Sequence, residues 1–208
     1  MASKFIFENY SETEFKIMDR NIRQAYRMVD FAIKQLITAI GILGTSSRNQ
    51  NQNYSYDMNG LLKSALIEFG GNDIKALGEA KSKLLDIKNK FRRGGMTLIR
   101  HDSKGEHKNR NTIAEAEKPG KKQWYGPLFF DRMTDSLNSR PRVVIHEFGH
   151  SVGLDHEFQG IASTADKSGK VRDSGIAQVA IGADGLALFC YRLYARRYTK
   201  RMELMHFD

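Results

Sequence analysis

The chain has 208 residues, 40% of them hydrophobic and 27% charged, the balance expected of an ordinary globular protein with one domain or one domain plus an appended helical part. It has no run of 18 or more apolar residues, and the first residues (MASKFIFEN) lack the apolar centre and small-residue cleavage site of a secretion signal, so no membrane span is expected, and the chain should be cytoplasmic or exported by a signal-peptide-independent system. A single cysteine, Cys190, excludes an intrachain disulfide and any multi-cysteine zinc knuckle; set between Phe189 and Tyr191, it reads as a small buried hydrophobe.

Lys and Arg number 33 against 24 Asp and Glu, a net charge of +9. Such a surface favours encounters with nucleic acid, anionic lipid or an acidic wall polymer. The basic residues are spread over Arg92-Arg93, Lys118 to Lys122 and Arg192 to Arg201, without aromatic interleaving, which argues against nucleic acid as the main partner.

From Phe15, apolar residues recur at steps of three or four (Met18, Ile22, Tyr26, Val29, Ile33, Leu36, Ile40), which predicts a long amphipathic helix. Ser11 and Glu14 form a capping box at its start, and Gly44 is the expected stop. The polar stretch Thr45 to Asn53 reads as a mobile loop. Further helices are expected over Met58 to Phe69 and Asp73 to Phe91, the latter with Ile74, Leu77, Leu84, Ile87 and Phe91 facing inward, before Gly94-Gly95 closes a helical half.

Met96 to Arg100 is a short strand candidate, and Lys104 to Lys122 is polar enough to be a long excursion, with His101 and His107 exposed to solvent. Trp124 to Phe130 is aromatic and β-prone, but Pro127 makes it an edge strand or a broken one. Helix resumes at Arg140, with Ser139 as cap, Pro141 in the first turn, and Val143, Val144 and Ile145 directed into the core. Near the C-terminus Tyr191, Tyr194 and Tyr198 fall at helical spacing and read as packing and surface.

Residues 146 to 156 read HEFGHSVGLDH. On a helix, His146 and His150 share one face and can reach one ion at the ~2.0–2.1 Å zinc–nitrogen distance. Glu147, one step round, stays out of direct ligation but beside a metal-activated water, where a general base is needed. Gly153 can take the left-handed backbone that ends a helix, and the turn brings His156 back as a third ligand, leaving one position open for water. These five residues at these offsets arise by chance in a chain of this length on the order of once in a hundred thousand.

The eleven residues resemble the HExxHxxGxxH zinc signature of the metzincin metallopeptidases, the matrixin branch most closely. The resemblance implies that His146, His150 and His156 ligate Zn2+ and that Glu147 is the base. It also implies a methionine turn beneath the metal; after the signature this sequence has only Met202 and Met205. A fainter likeness, carried by the helical N-terminal half, the aromatic segment Gly126 to Phe130, the HExxH helix and Ala183-Asp184-Gly185, is to deuterolysin-like and lysine-specific metalloendopeptidase domains. There the third ligand is an aspartate, which makes Asp155 the alternative to His156, and an Ala-Asp-containing helix packs beneath the site.

The resulting expectation is a helix-rich α+β, zincin-like metallopeptidase with a small mixed sheet and an HExxH active-site helix. Residues 1–94 would form a helical subdomain and 95–208 the catalytic one, within one compact domain. The expected reaction is zinc-dependent hydrolysis of a polypeptide substrate, which the edge strand around Leu128 to Phe130 would align by main-chain hydrogen bonds. Two other readings remain: a peptidoglycan amidase or endopeptidase, and a non-catalytic zinc-stabilised binding module. The +9 charge and lack of a secretion signal also suit a toxin or effector domain, for which a cognate inhibitor or immunity protein is an expected partner.

Overall fold

Ser11 and Glu14 start the longest helix reciprocally: the Glu14 amide donates to Ser11 Oγ (3.3 Å) and the Ser11 amide to Glu14 Oε2 (3.0 Å), closing the expected capping box. The computed structural model describes residues 4–46, 58–101, 113–156 and 181–205. Helix α1 (Glu12–Ser46) buries Met18, Ile22, Ala25, Val29, Ile33 and Leu36 along one stripe, as the spacing predicts. It runs through Gly44 rather than stopping there: partly buried Ile42 and Leu43 hold that turn against the core, and packing outweighs the glycine's poor helix propensity. By length and composition α1 is apolar enough to cross a membrane, but a third of its most apolar window is buried inside the protein. Apart from Thr45 and Ser46, which are helical, the expected loop to Asn53 lies outside the described residues.

Helix α2 (Met58–Phe69) falls where predicted. Helix α3 (Ile74–Arg93) is capped by Asp73, whose side chain accepts from the Ala76 amide at 2.7 Å, and ends at Gly94 with φ +67°. Leu77, Leu84, Ile87 and Phe91 face inward, but Ile74 is 46% exposed, because in the first turn it precedes the buried face rather than joining it. The Gly94 conformation also lets the N-terminal segment pass: Lys4 Nζ donates to the Arg92 carbonyl, and the Lys4 carbonyl accepts from the Gly95 amide (2.8 Å).

That passage sets up a four-stranded mixed sheet in the order β1-β2-β4-β3. Strand β1 (Ile6–Glu8) runs parallel to β2 (Thr97–Arg100), β2 runs parallel to β4 (Lys122–Tyr125), and β3 (Ala114–Ala116) pairs antiparallel with β4. The polar excursion therefore contains a strand, which its alanines do not advertise and which pairing with β4 creates; residues 102–112, with His107, lie outside the description. His101 is buried rather than exposed, and its amide donates to the Tyr125 carbonyl.

The aromatic segment divides at Gly126. Lys122–Tyr125 is an interior strand, and Pro127 opens a short helix α4 (Pro127–Asp131), its fixed φ suiting the first helical position. Leu128 to Phe130 thus forms no edge strand, and Phe129 and Phe130 are buried. Among the described residues, the edge on that side of the sheet is β3.

Helix α5 (Arg140–Ser151) and helix α6 (Ala183–Met205) pack together against α1. Val144, Ile145 and Phe148 of α5 are wholly buried, whereas Val143 is only partly so. Phe148 stacks on Phe91 (centroids 3.9 Å) and meets Phe5 edge-on (5.9 Å), joining the N-terminal segment, α3 and α5 in one core. Phe189 of α6 lies against Phe69 of α2, Cys190 and Tyr194 are buried, and Tyr191 packs partly buried. Arg140 fixes the start of α5: it donates to the Phe129 carbonyl (2.7 Å), the Phe130 carbonyl and Asp135 (2.7 Å). Ser139 precedes the helix but does not cap it through its side chain, because its Oγ accepts from the Thr134 amide instead.

Candidate metal centre

With the apolar side of α5 committed to the core, His146 and His150, one turn apart, share the opposite, partly accessible side. After Ser151 the chain reverses at Gly153 (φ +92°), whose amide donates to the His150 carbonyl (2.8 Å), while the Leu154 amide donates to the Gly149 carbonyl (3.1 Å). A side chain at Gly153 would be strained in this conformation. The turn delivers His156, and the three rings converge with centroids 4.5 Å (His146 to His150), 4.9 Å (His146 to His156) and 4.3 Å (His150 to His156) apart. One nitrogen from each lies within 4.8 Å of the others, a cluster that can hold a metal ion. Asp155 is outside this cluster: its side chain is 84% exposed and paired with Lys118.

Each imidazole is held through Nδ1 by a group that accepts. His150 Nδ1 lies 2.7 Å from the Leu154 carbonyl. His146 Nδ1 lies 3.0 Å from Asp184 Oδ1, and His156 Nδ1 lies 2.9 Å from Asp184 Oδ2. Burial alone would raise the Asp184 pKa, but the hydrogen bonds from the two histidines overturn that and hold it well below the usual carboxylate range, so both oxygens accept. Three Nδ1–H donors leave three Nε2 lone pairs for a cation, the tautomer that an outer carboxylate or carbonyl imposes on metal-binding histidine. Burial, with the neighbouring imidazoles adding to it, lowers the His150 pKa and favours its neutral form.

The residues fit a divalent ion on the geometry of these nitrogens. His146 Nε2 and His150 Nε2 face each other at 2.9 Å, a separation that a shared proton can bridge and that lets both nitrogens converge on one ion. Two imidazoles on one tetrahedral zinc stand about 3.3 Å apart, as follows from the ~2.0–2.1 Å bond length, so a small side-chain adjustment suffices. Glu147 adds a second sign. Its Oε2 is buried without a hydrogen-bond partner, and burial, with Glu115 and Asp184 contributing, pushes its carboxyl pKa up to about 8. A cation at the three nitrogens would act in the opposite sense.

Two cavities meet at His146 and Glu147. One, of about 210 Å³, is also walled by Ile113, Ala114, Arg142 and Asp184; the other, of about 220 Å³, by Glu115, Ala116, Lys118 and Asp155. Strand β3 runs along both. A buried chain of hydrogen bonds ties the sheet to α5 below them: Tyr125 Oη donates to Gln123 Oε1 (2.8 Å), Gln123 Nε2 to Ser151 Oγ (2.9 Å), and Ser151 Oγ to the Glu147 carbonyl (3.1 Å).

The helix carrying Asp184 approaches closely because Gly149 has no side chain. A Cβ there would come within 3.0 Å of Ala183 Cβ and 3.2 Å of its Cα. The Ala183 amide also donates to the Asp155 carbonyl (3.0 Å), which fixes the start of α6 beside the turn that carries His156. An acidic residue in the first turn of α6 is favourable on its own account. Its contact with two histidines is what sequence reasoning missed, together with the placement of β3, Gln123 and Arg142 around the site. No protein-family model matches this chain, and comparison with curated proteins finds no match. Fold and site together define a helix-rich α+β protein with a three-histidine cluster that can hold a metal ion.

Proposed function

We propose that the protein is a zinc-dependent metallopeptidase with His146, His150 and His156 as ligands and Glu147 as general base. The observation that carries this reading is the cluster of three Nδ1-anchored imidazoles beside a buried, unpartnered carboxylate oxygen. Three neutral nitrogen donors suit zinc, and when bound the ion supplies Lewis acidity toward a water and a scissile carbonyl. Glu147 lines both cavities, which supports a role as the base that takes a proton from the attacking water and delivers it to the leaving amine. A substrate strand would lie along β3 rather than along Leu128 to Phe130, extended across both cavities.

The test is hydrolysis of an unstructured polypeptide such as casein, set beside purified wall sacculi, by zinc-loaded protein and by Glu147→Gln. The reading predicts cleavage of the polypeptide, loss of that cleavage in Glu147→Gln, and unchanged zinc content. Cleavage of sacculi alone would transfer the activity to the wall, and the absence of hydrolysis from either would leave a metal-binding module.

A further inference from the structure

We infer that the cavity walled by Arg142 selects an acidic side chain next to the scissile bond, an inference that rests on the peptidase reading and names its substrate class. Arg142 lies one helical turn before His146 and so on the same side of α5, facing the cavity that reaches His146 and Glu147. Its Nε is buried without a hydrogen-bond partner, and among the described residues it forms no ion pair. Arg140, two positions earlier, shows the contrast: every group of its guanidinium that the core approaches is spent on the Phe129 and Phe130 carbonyls and Asp135. One arginine holds the fold. The other presents a planar set of donors whose natural complement is a carboxylate.

The rest of the cavity agrees with a short acidic side chain. Ile113, Val143 and Ala187 supply apolar wall for its methylene groups, and the volume of about 210 Å³ is modest. Two negative groups face the same space, Asp184 and Glu147. Asp184 is committed to His146 and His156, and burial raises the Glu147 carboxyl toward its neutral form, so Arg142 is the cation at this wall that, among the described residues, has no ion-pair partner.

Direction follows from β3. That strand passes from Ala114, at the Arg142 cavity, to Ala116, at the Lys118 cavity. Antiparallel pairing is the slightly more stable form, and a substrate strand antiparallel to β3 places in the Arg142 cavity the residue that follows the cleaved bond.

The experiment uses peptides identical except for Glu, Gln, Leu or Lys at that position. Turnover is measured with zinc-loaded protein, and binding with zinc-loaded Glu147→Gln by fluorescence anisotropy. A hydrogen bond to a charged partner predicts a Glu over Gln preference on the order of 10- to 100-fold. The preference should be lost in Arg142→Gln and turn toward Lys in Arg142→Glu, with zinc content showing that each variant keeps its site. Cleavage without a Glu preference, or a preference that survives Arg142→Gln, would overturn the inference and leave the peptidase reading standing. Arg142-dependent binding of the Glu peptide without cleavage of any peptide would do the reverse, and neither binding nor cleavage would overturn both.

Discussion

Asp184 Oδ1 lies 3.0 Å from His146 Nδ1, on the far side of the imidazole from the nitrogen that faces the cluster. The same carboxylate reaches His156 with its other oxygen, so one side chain on α6 orients two rings from α5 and the turn after it. Removing such an outer partner from a metal-binding histidine weakens metal affinity by roughly 10- to 100-fold. We predict a loss in that range for Asp184→Ala in competition against a chromophoric zinc chelator, and a smaller loss for Asp184→Asn, which keeps one accepting oxygen. Unchanged affinity in Asp184→Ala would show that the rings hold themselves.

Gly149 sits where α5 and α6 touch. In Gly149→Ala the new methyl group would meet Ala183 Cβ at 3.0 Å, so the start of α6, which carries Asp184, must give by a few tenths of an ångström. Overpacking of this kind costs about 1–3 kcal/mol, against the roughly 1 kcal/mol that alanine gains over glycine inside a helix. The variant should unfold at lower denaturant concentration and bind zinc more weakly, and adding Ala183→Gly should restore part of both. Failure of the double variant to recover either property would place the effect elsewhere.

Acid sensitivity has a source outside the histidine cluster. Burial would raise the Asp135 pKa, but hydrogen bonds from Asn21 and Arg140 and the charges of Arg140 and Arg20 bring it below its ordinary value. A carboxylate lowered in the folded state stabilises the fold above its unfolded pKa and loses that contribution as pH falls through its folded pKa. Stability should therefore fall as the pH drops below the ordinary carboxylate range. In Asp135→Asn that slope should be shallower and stability at neutral pH lower, as read from urea unfolding at several pH values. An unaltered slope would exclude Asp135 as a contributor.

Much of this molecule can be read from its residues, and the limits have physical causes. The stripe of α1, the capping box at Ser11 and the Gly153 turn are local features, set by side chains a few positions apart, and they form as expected. The histidine cluster was legible for the same reason, since all three members lie within eleven residues. What failed depends on pairing between segments that composition does not reveal, or on a proline that suits a helix start as well as a strand break. Strand β3 exists because β4 pairs with it, His101 is buried because β4 runs beside it, and Pro127 begins a helix where a broken edge strand was expected. Asp184 appeared in the sequence only as part of a faint resemblance, and its contact with His146 and His156 needed the close approach that Gly149 permits.

The central claim is that three Nε2 atoms bind one divalent ion, and metal analysis of the purified protein tests it most directly, with His156→Ala and Asp155→Ala measured alongside. The account predicts about one equivalent of zinc per chain, lost or greatly weakened in His156→Ala and retained in Asp155→Ala. A protein that takes up no divalent ion, or one that loses it in Asp155→Ala and keeps it in His156→Ala, would contradict the account.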